Sequence, residues 1–464
     1  MNKYSAFIWT SLDFFSKSVS TLLFQLYIVR ILEPKFFGEI SMVLIIFTLL
    51  ITFVDLGLHS AIIQKEEKLE NIRQKMYSSA FWTIFIFSIL IGVLLFSFSF
   101  EISRYILNLE SMSKFIKLVS LTTLFYAYYF VVSAKYYKEL NFKKISLINI
   151  ASMFLSIIIS VFFVLINYPM IALLSFSISN IVFRSIIYFF ESRWIPNLDI
   201  DFKIVKKLLR FGITTSGTSV VNGFTSQYDY FIVGRFLGPE ALGIYTIAFN
   251  LSNTIKTSLT AIISKVVYPI YSKMQNDKTK IVVYYNKVVF VNTLLITPIL
   301  ILLVIYSPII INRLYGSEWL LAKAPLQILA FASIIQLIVS SNTTLLRSIG
   351  EPFLELKVQG AKFFLFLAPL LYFLTVEQGI IGASLAILLN AILSVIIAYF
   401  NLSKVLDFNF KDLFRNGILN IIIHITIGFF LFIAPYKYIF ICLWGISTTS
   451  LIYLFLKKHD GFKT

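Results

Sequence analysis

RILEPKFFGEI at Arg30–Ile40 returns as RFLGPEALGIY at Arg235–Tyr245, a constant offset of 205 residues that sets Arg30 on Arg235, Leu32 on Leu237, Pro34 on Pro239 and Gly38 on Gly243. Each copy follows one long apolar run and precedes another. A proline followed by a glycine in a short link between antiparallel helices is ordinary turn chemistry. Its recurrence at matching places in the two halves marks an internal duplication. Six apolar runs separate the copies, and an even number of crossings returns a chain to its starting orientation. The halves are therefore expected to be direct repeats about an axis along the membrane normal, a symmetry found in one class of transporter.

The flanking runs have membrane-crossing length and character. Of the 464 residues 58% are hydrophobic and 14% charged, and the mean hydropathy is +0.85. A soluble domain is roughly 45–50% apolar and about 25% charged, so too few polar residues remain here to cover a water-facing surface. Apolar stretches of about 20 residues, enough to span ~30 Å of hydrocarbon as a helix, recur from the first line to the last. None is a lone cleavable leader ahead of soluble sequence. The single cysteine, Cys442, excludes an intrachain disulfide, and His59, His424 and His459 have no metal-ligand spacing. No metal or other cofactor is expected. The net charge of +17 is assigned to Lys and Arg on cytoplasmic loops rather than to nucleic-acid binding.

Charged and turn-forming breaks predict an all-α membrane fold of fourteen spans, near 6–30, 38–63, 77–100, 115–134, 145–167, 169–190, 208–234, 241–264, 288–312, 324–346, 358–376, 378–401, 416–435 and 438–456. With the N-terminus cytoplasmic, 28 of the 40 Lys and Arg fall on that side and 9 on the other, while Lys17, Arg184 and Lys256 fall within spans. That bias places both termini inside. The expected organisation is a six-helix lobe at 1–191, a cytoplasmic linker at 192–207, a second six-helix lobe at 208–401 and two further spans in 402–464. The links at Asn167-Tyr168 and near Glu377 are little more than turns, and no external connection is long enough for a catalytic domain.

Several stretches carry a family pattern: DLGLHSAIIQ at Asp55–Gln64, SSAFW at Ser78–Trp82, RWIP at Arg193–Pro196, LLRFG at Leu208–Gly212, DYFIVGRFLGPEALGIYTIAFNL at Asp229–Leu251, YPIYSKMQND at Tyr268–Asp277 and GSEWLLAKAPLQILA at Gly316–Ala330. In this order and spacing they resemble the polysaccharide transporter family, the Wzx-like flippases of the MOP superfamily that also holds MATE exporters and the lipid II flippase MurJ. The resemblance covers about residues 5 to 360. It implies a V-shaped pair of lobes that moves undecaprenyl-pyrophosphate-linked oligosaccharide, an O-antigen, capsule or exopolysaccharide repeat unit, from the inner to the outer leaflet of a bacterial cytoplasmic membrane. Besides that substrate and membrane lipids, a polysaccharide polymerase and a chain-length regulator are the candidate partners.

Six ionisable residues sit within spans: Asp13, Lys17, Asp55, Arg184, Asp229 and Lys256. Each costs about 2.5–3.5 kcal/mol near a helix centre on insertion scales, so each should face a cavity or a partner. Counting residues from the span ends puts Lys17, Arg184 and Lys256 near mid-membrane, where cations suit a pyrophosphate. Asp13, Asp55 and Asp229 are the candidates for Na⁺ or H⁺ coupling. Competing structural readings stand beside these: Asp13 and Lys17 form a favourable i,i+4 pair, Arg184 clamps helices, Asp229 is interfacial, and Asp55 belongs to a helix bend at Gly57. Arg30 and Arg235 are expected to snorkel to the outer surface, and Tyr228 and Tyr245 are candidates to line a sugar path. GITTSGTS at Gly212–Ser219 has phosphate-loop spacing but Thr218 where a lysine is needed. Its small residues, Gly212, Ser216, Gly217 and Ser219, with Gly223, instead let another helix approach. The rival functions are a lipid II flippase of the MurJ kind, a MATE-like drug exporter, which would need an acidic cavity, and a membrane polysaccharide polymerase or ligase, which would need catalytic residues on large external loops. No enzymatic activity is expected.

Overall fold

Among the described residues helices form where the apolar runs up to 416–435 predict them. The computed structural model describes residues 3–433 apart from 65–68, 275–276, 407, 410 and 412–413, and every regular element among the described residues is helical. The chain divides into two compact units, Met1–Ile244 and Tyr245–Thr464. Unit 1 holds α1 (Lys3–Val29), α2 (Pro34–Val54), α3 (Leu58–Gln64), α4 (Glu70–Ser97), the single turn α5 (Ser99–Glu101), α6 (Ser113–Leu121), α7 (Thr123–Lys138), α8 (Phe142–Leu165), α9 (Pro169–Ser192), α10 (Phe202–Leu237) and the start of α11 (Pro239–Lys273). Unit 2 holds the rest of α11, then α12 (Lys278–Leu314), α13 (Lys323–Gln336), α14 (Asn342–Ser348), α15 (Pro352–Lys362), α16 (Ala368–Leu406) and α17 (Leu419–Ile433). The last expected span, 438–456, lies outside the described residues.

Among the described residues eight helical stretches are long and apolar enough to cross a membrane. α1, α10 and α11 are long but less apolar, and they are the helices that carry Asp13 with Lys17, Asp229, and Lys256. The division into units falls within α11 rather than in the 192–207 linker because α10 packs on α2, α3 and α4.

The two copies of the repeated turn meet inside unit 1. A Cβ built on Gly38 would stand 1.7 Å from the Pro239 carbonyl oxygen, and one on Gly243 would stand 2.1 Å from that of Pro34. Each proline lies against the other copy's glycine. Glycine at both positions is thus a requirement of backbone-to-backbone contact.

The expected span 38–63 breaks at Asp55-Leu56-Gly57, where Leu56 and Gly57 take φ of 49° and 68°. Asp55, the C-cap residue of α2, accepts through Oδ1 from the His59 backbone N–H at 3.1 Å and so satisfies a donor in the first turn of α3. α10 passes so close to this break that a Cβ on Gly212 would lie 2.5 Å from the Leu56 carbonyl oxygen, and further along Gly223 meets Thr52 and Gly234 meets Met42. Gly212 and Gly223 therefore serve helix packing. What Ser216, Gly217 and Ser219 do at side-chain level lies outside the described residues.

The linker is a strap tied to unit 1. Trp82 Nε1 donates to the Asn197 carbonyl at 2.8 Å and Trp194 Nε1 to Gln74 Oε1 at 2.9 Å. The Ser78 and Ser79 hydroxyls accept from the backbone N–H groups of Asn197 and Asp201, each at 3.0 Å, and Tyr128 donates to the Trp194 carbonyl at 2.7 Å. Asp201 then caps α10, accepting from Lys203 N–H at 2.8 Å. SSAFW and RWIP are two sides of one joint.

In unit 2, Pro308 lies inside α12 and has no N–H for the Val304 carbonyl four residues back. Ser307 Oγ, at 2.8 Å, and Gln327 Nε2 on α13, at 3.2 Å, donate to that carbonyl instead, and Gln327 also donates to Ser307 Oγ at 3.0 Å. Gly379, at φ 62°, breaks α16 close to the turn expected near Glu377.

Candidate functional site

α1, α7, α8 and α9 build a polar cluster in unit 1, in which Asp13, Tyr129, Asn149 and Arg184 are half-buried and Lys17 is exposed. The contacts α1 with α8, α8 with α9 and α7 with α9 bring their facing sides together. Ser146 of α8 donates to the Trp9 carbonyl of α1 at 2.9 Å, fixing the register of those two helices. One turn further along each helix, Asn149 Nδ2 donates to Asp13 Oδ2 at 2.9 Å. Lys17, a further turn along α1, stands within electrostatic reach of both Asp13 and Arg184 of α9. Among the described residues neither Lys17 nor Arg184 forms an ion pair.

Tyr129 of α7 holds Arg184. Its hydroxyl accepts from Nη1 at 3.4 Å and the guanidinium carbon stands 5.7 Å from its ring centroid, a cation–π arrangement. Arg184 Nε is buried and has no acceptor. Tyr137 and Tyr188 lie within reach of the same charges, and the His59 ring centroid is 5.6 Å from that of Tyr137. The result is a cluster of two cations and one carboxylate walled by tyrosine. A guanidinium and an ammonium in such a place can take the oxygens of an anion, the guanidinium as a fork and the ammonium as a point charge.

The remaining predicted residues lie elsewhere. Asp55 accepts from the first turn of α3 at the helix break. Asp229 is buried, 3% exposed, rather than interfacial, and its carboxylate accepts from the Tyr230 N–H at 2.9 Å. Lys256, in unit 2, donates to Gln336 Oε1. The i,i+4 relation of Asp13 and Lys17 yields no close ion pair, since Asn149 holds the carboxylate across the helices. Arg30 is exposed, as expected of a snorkelling residue, whereas Arg235 is half-buried with Nη1 enclosed and without an acceptor. Tyr245 is fully buried against Phe249 and is a packing residue.

Sequence reasoning missed Tyr129, Asn149 and Lys362. The aromatic run YAYYF at Tyr126–Phe130 was a signal for the first. Lys362, at the start of the expected span 358–376, sits in the long apolar stretch Phe353–Leu406 and donates to Ser394 Oγ at 3.0 Å.

Fold and charge pattern define a multi-pass membrane protein of transporter architecture. The structure resembles that of the lipid II flippase MurJ, with a TM-score of 0.75 at 18% identity over 97% of this chain and 99% of that one. The chain belongs to the polysaccharide biosynthesis protein family, whose profile matches residues 27–324. It is 26% identical to a membrane protein encoded in the cps region of Klebsiella pneumoniae, over 85% of this chain and 81% of that protein. It is also 26% identical to the lipopolysaccharide biosynthesis protein WzxC of Escherichia coli strain K12, over 81% of this chain and 75% of that protein. The resemblance read from the motifs to the Wzx-like branch of the MOP superfamily is borne out.

Proposed function

We propose that this protein is a flippase that carries a pyrophosphate-linked oligosaccharide on a polyprenyl lipid from the inner to the outer leaflet of a bacterial cytoplasmic membrane, without enzymatic turnover. The observation that carries this reading is that Lys17 of α1 and Arg184 of α9 lie within electrostatic reach of each other, with one carboxylate nearby, Asp13, that Asn149 already holds. Family membership supplies the glycan pathway. A cationic-drug exporter would need the opposite sign of charge.

The proposed layout is fourteen spans with both termini cytoplasmic, two six-helix repeats related about the membrane normal and two further spans after residue 401. The reciprocal Pro–Gly contacts support the repeat, and the Lys/Arg bias supports the orientation. Lys256 extends the cation set in the second repeat, and a polymerase and chain-length regulator act downstream.

A lipid pyrophosphate carries about two negative charges, and each charge crossing the full potential is worth ~2.3 kcal/mol per 100 mV. Outward transfer from a negative interior therefore releases roughly 4–5 kcal/mol per 100 mV if the protein's own charges stay in place. Inward movement of Na⁺ or H⁺ through Asp13, Asp55 or Asp229 adds to that drive. Mass spectrometry of lipid-linked glycans in a deletion strain tests the assignment. The intact repeat unit should accumulate, wild type should clear it and Arg184→Gln should not. Absence of any lipid-linked glycan in the deletion strain would contradict it.

A further inference from the structure

Three connections, α1–α2, the link into α6, and α8–α9, converge at one end of unit 1 and enclose a cavity of about 590 Å³. That volume is within the range of small-molecule sites. Glu33 and Phe36 line it from the first connection, Lys114 and Leu118 from the second, Tyr168 and Ile171 from the third. The walls are apolar yet open: Phe36, Leu118 and Tyr168 are 37%, 42% and 57% exposed. Glu33 and Lys114, of opposite sign and on different walls, form no ion pair with each other or with another described residue. The Lys114 ammonium lies 5.1 Å from the Phe115 ring centroid.

Below the cavity the apolar surface continues. Leu118, Leu121 and Leu124, at three-residue spacing where α6 passes into α7, are all exposed. They form a stripe leading from the cavity along the helix, toward the bilayer interior in the proposed placement. Two separated opposite charges at the mouth and an apolar track beneath match a molecule with a zwitterionic head and a long tail. A purely anionic lipid would leave Glu33 repelling its head group, and a soluble solute would leave the stripe without a partner.

We propose that this cavity seats the head group of one zwitterionic phospholipid, its phosphate at Lys114 and its amine at Glu33, with an acyl chain along Leu118, Leu121 and Leu124. The site rests on the proposed orientation, which puts these three connections at the outer surface, and it is separate from the Lys17–Arg184 cluster.

The test uses the full chain in nanodiscs of mixed phosphatidylethanolamine and phosphatidylglycerol, with either lipid carrying a photoactivatable acyl chain and adducts mapped by mass spectrometry. Adducts of phosphatidylethanolamine on residues 31–36, 114–124 and 167–171 should exceed those of phosphatidylglycerol by about threefold, the worth of one half-exposed ion pair. Glu33→Gln should bring that ratio to about one, since it removes the only contact that separates the two head groups. Leu118→Trp, which fills the cavity, should remove both sets of adducts while labelling elsewhere on the apolar belt persists. Equal labelling by the two lipids in wild type overturns the site, as does labelling indifferent to Leu118→Trp or adducts to a second copy of the chain instead of lipid. A cysteine at Asn108, with Cys442 replaced, reports the orientation separately: labelling from the cytoplasmic face would refute the placement instead of the lipid preference.

Discussion

Asn149 donates its side-chain amide to Asp13 across the α1–α8 interface at 2.9 Å, so the carboxylate one turn before Lys17 is held by a neighbouring helix and not by Lys17 itself. This bond decides what Asp13 engages. With the carboxylate turned to Asn149 instead of closed on Lys17, the Lys17 ammonium stays available to an anion beside Arg184.

Asn149→Ala removes the donor and leaves a part-buried carboxylate short of one hydrogen bond, a loss of about 1.5–3 kcal/mol. Thermal unfolding in detergent should show a lowered midpoint. Asp13→Asn combined with Asn149→Ala should be less than additive, because the two changes remove one interaction. Full additivity would mean that the contact contributes nothing.

Gly38→Ala and Gly243→Ala should each destabilise by more than about 2 kcal/mol, although alanine is the better helix former by ~1 kcal/mol. The cause is the collision of the added methyl with the Pro239 or Pro34 carbonyl. Gly360→Ala is the control, since a Cβ there meets nothing within 4 Å, and it should be neutral or stabilising. Equal effects at all three positions would refute the close contact of the two turns.

These two relationships differ in how far the sequence discloses them. The repeat is visible because Pro34/Pro239 and Gly38/Gly243 are local turn chemistry that survives as letters, and hydropathy alone locates the helices. The breaks at Asn167 and near Glu377 are legible for the same reason; the structure puts positive φ at Asn167 and Gly379. The strap is not legible, because Trp82 and Asn197 are 115 residues apart and only tertiary packing joins them. Within the site, Lys17 and Arg184 announce themselves as charges in apolar runs. Tyr129 and Asn149 do not, since an uncharged residue in a helix carries no mark of what it faces.

Gln327→Ala should cost about 0.5–1.5 kcal/mol, the worth of one hydrogen bond, since the Val304 carbonyl then keeps only the Ser307 hydroxyl as donor. Pro308→Ala restores the helical N–H at that carbonyl, so in its background Gln327→Ala should cost much less. Unfolding midpoints of the four variants measure the coupling, and a cycle that closes to zero would show that Gln327 does not replace the missing proline N–H.

Trp194→Phe and Ser78→Ala, Ser79→Ala together should raise amide exchange across residues 193–201, because each removes a side-chain bond that holds the strap to α4. Exchange in α8 should be unaffected. If the strap exchanges as slowly in the variants as in wild type, its order comes from elsewhere.

The most direct test of the flipping mechanism places purified protein in proteoliposomes with a pyrophosphate-linked oligosaccharide lipid and follows head-group accessibility under an imposed potassium diffusion potential, with symmetric pH and no sodium gradient. Net movement should follow the sign and size of the potential, need no ATP, and fall at least about tenfold in Lys17→Gln, Arg184→Gln, as expected for loss of two charge-assisted contacts. Movement that is indifferent to the potential and unchanged in that double variant would contradict an electrophoretic passage of an anion over these two cations.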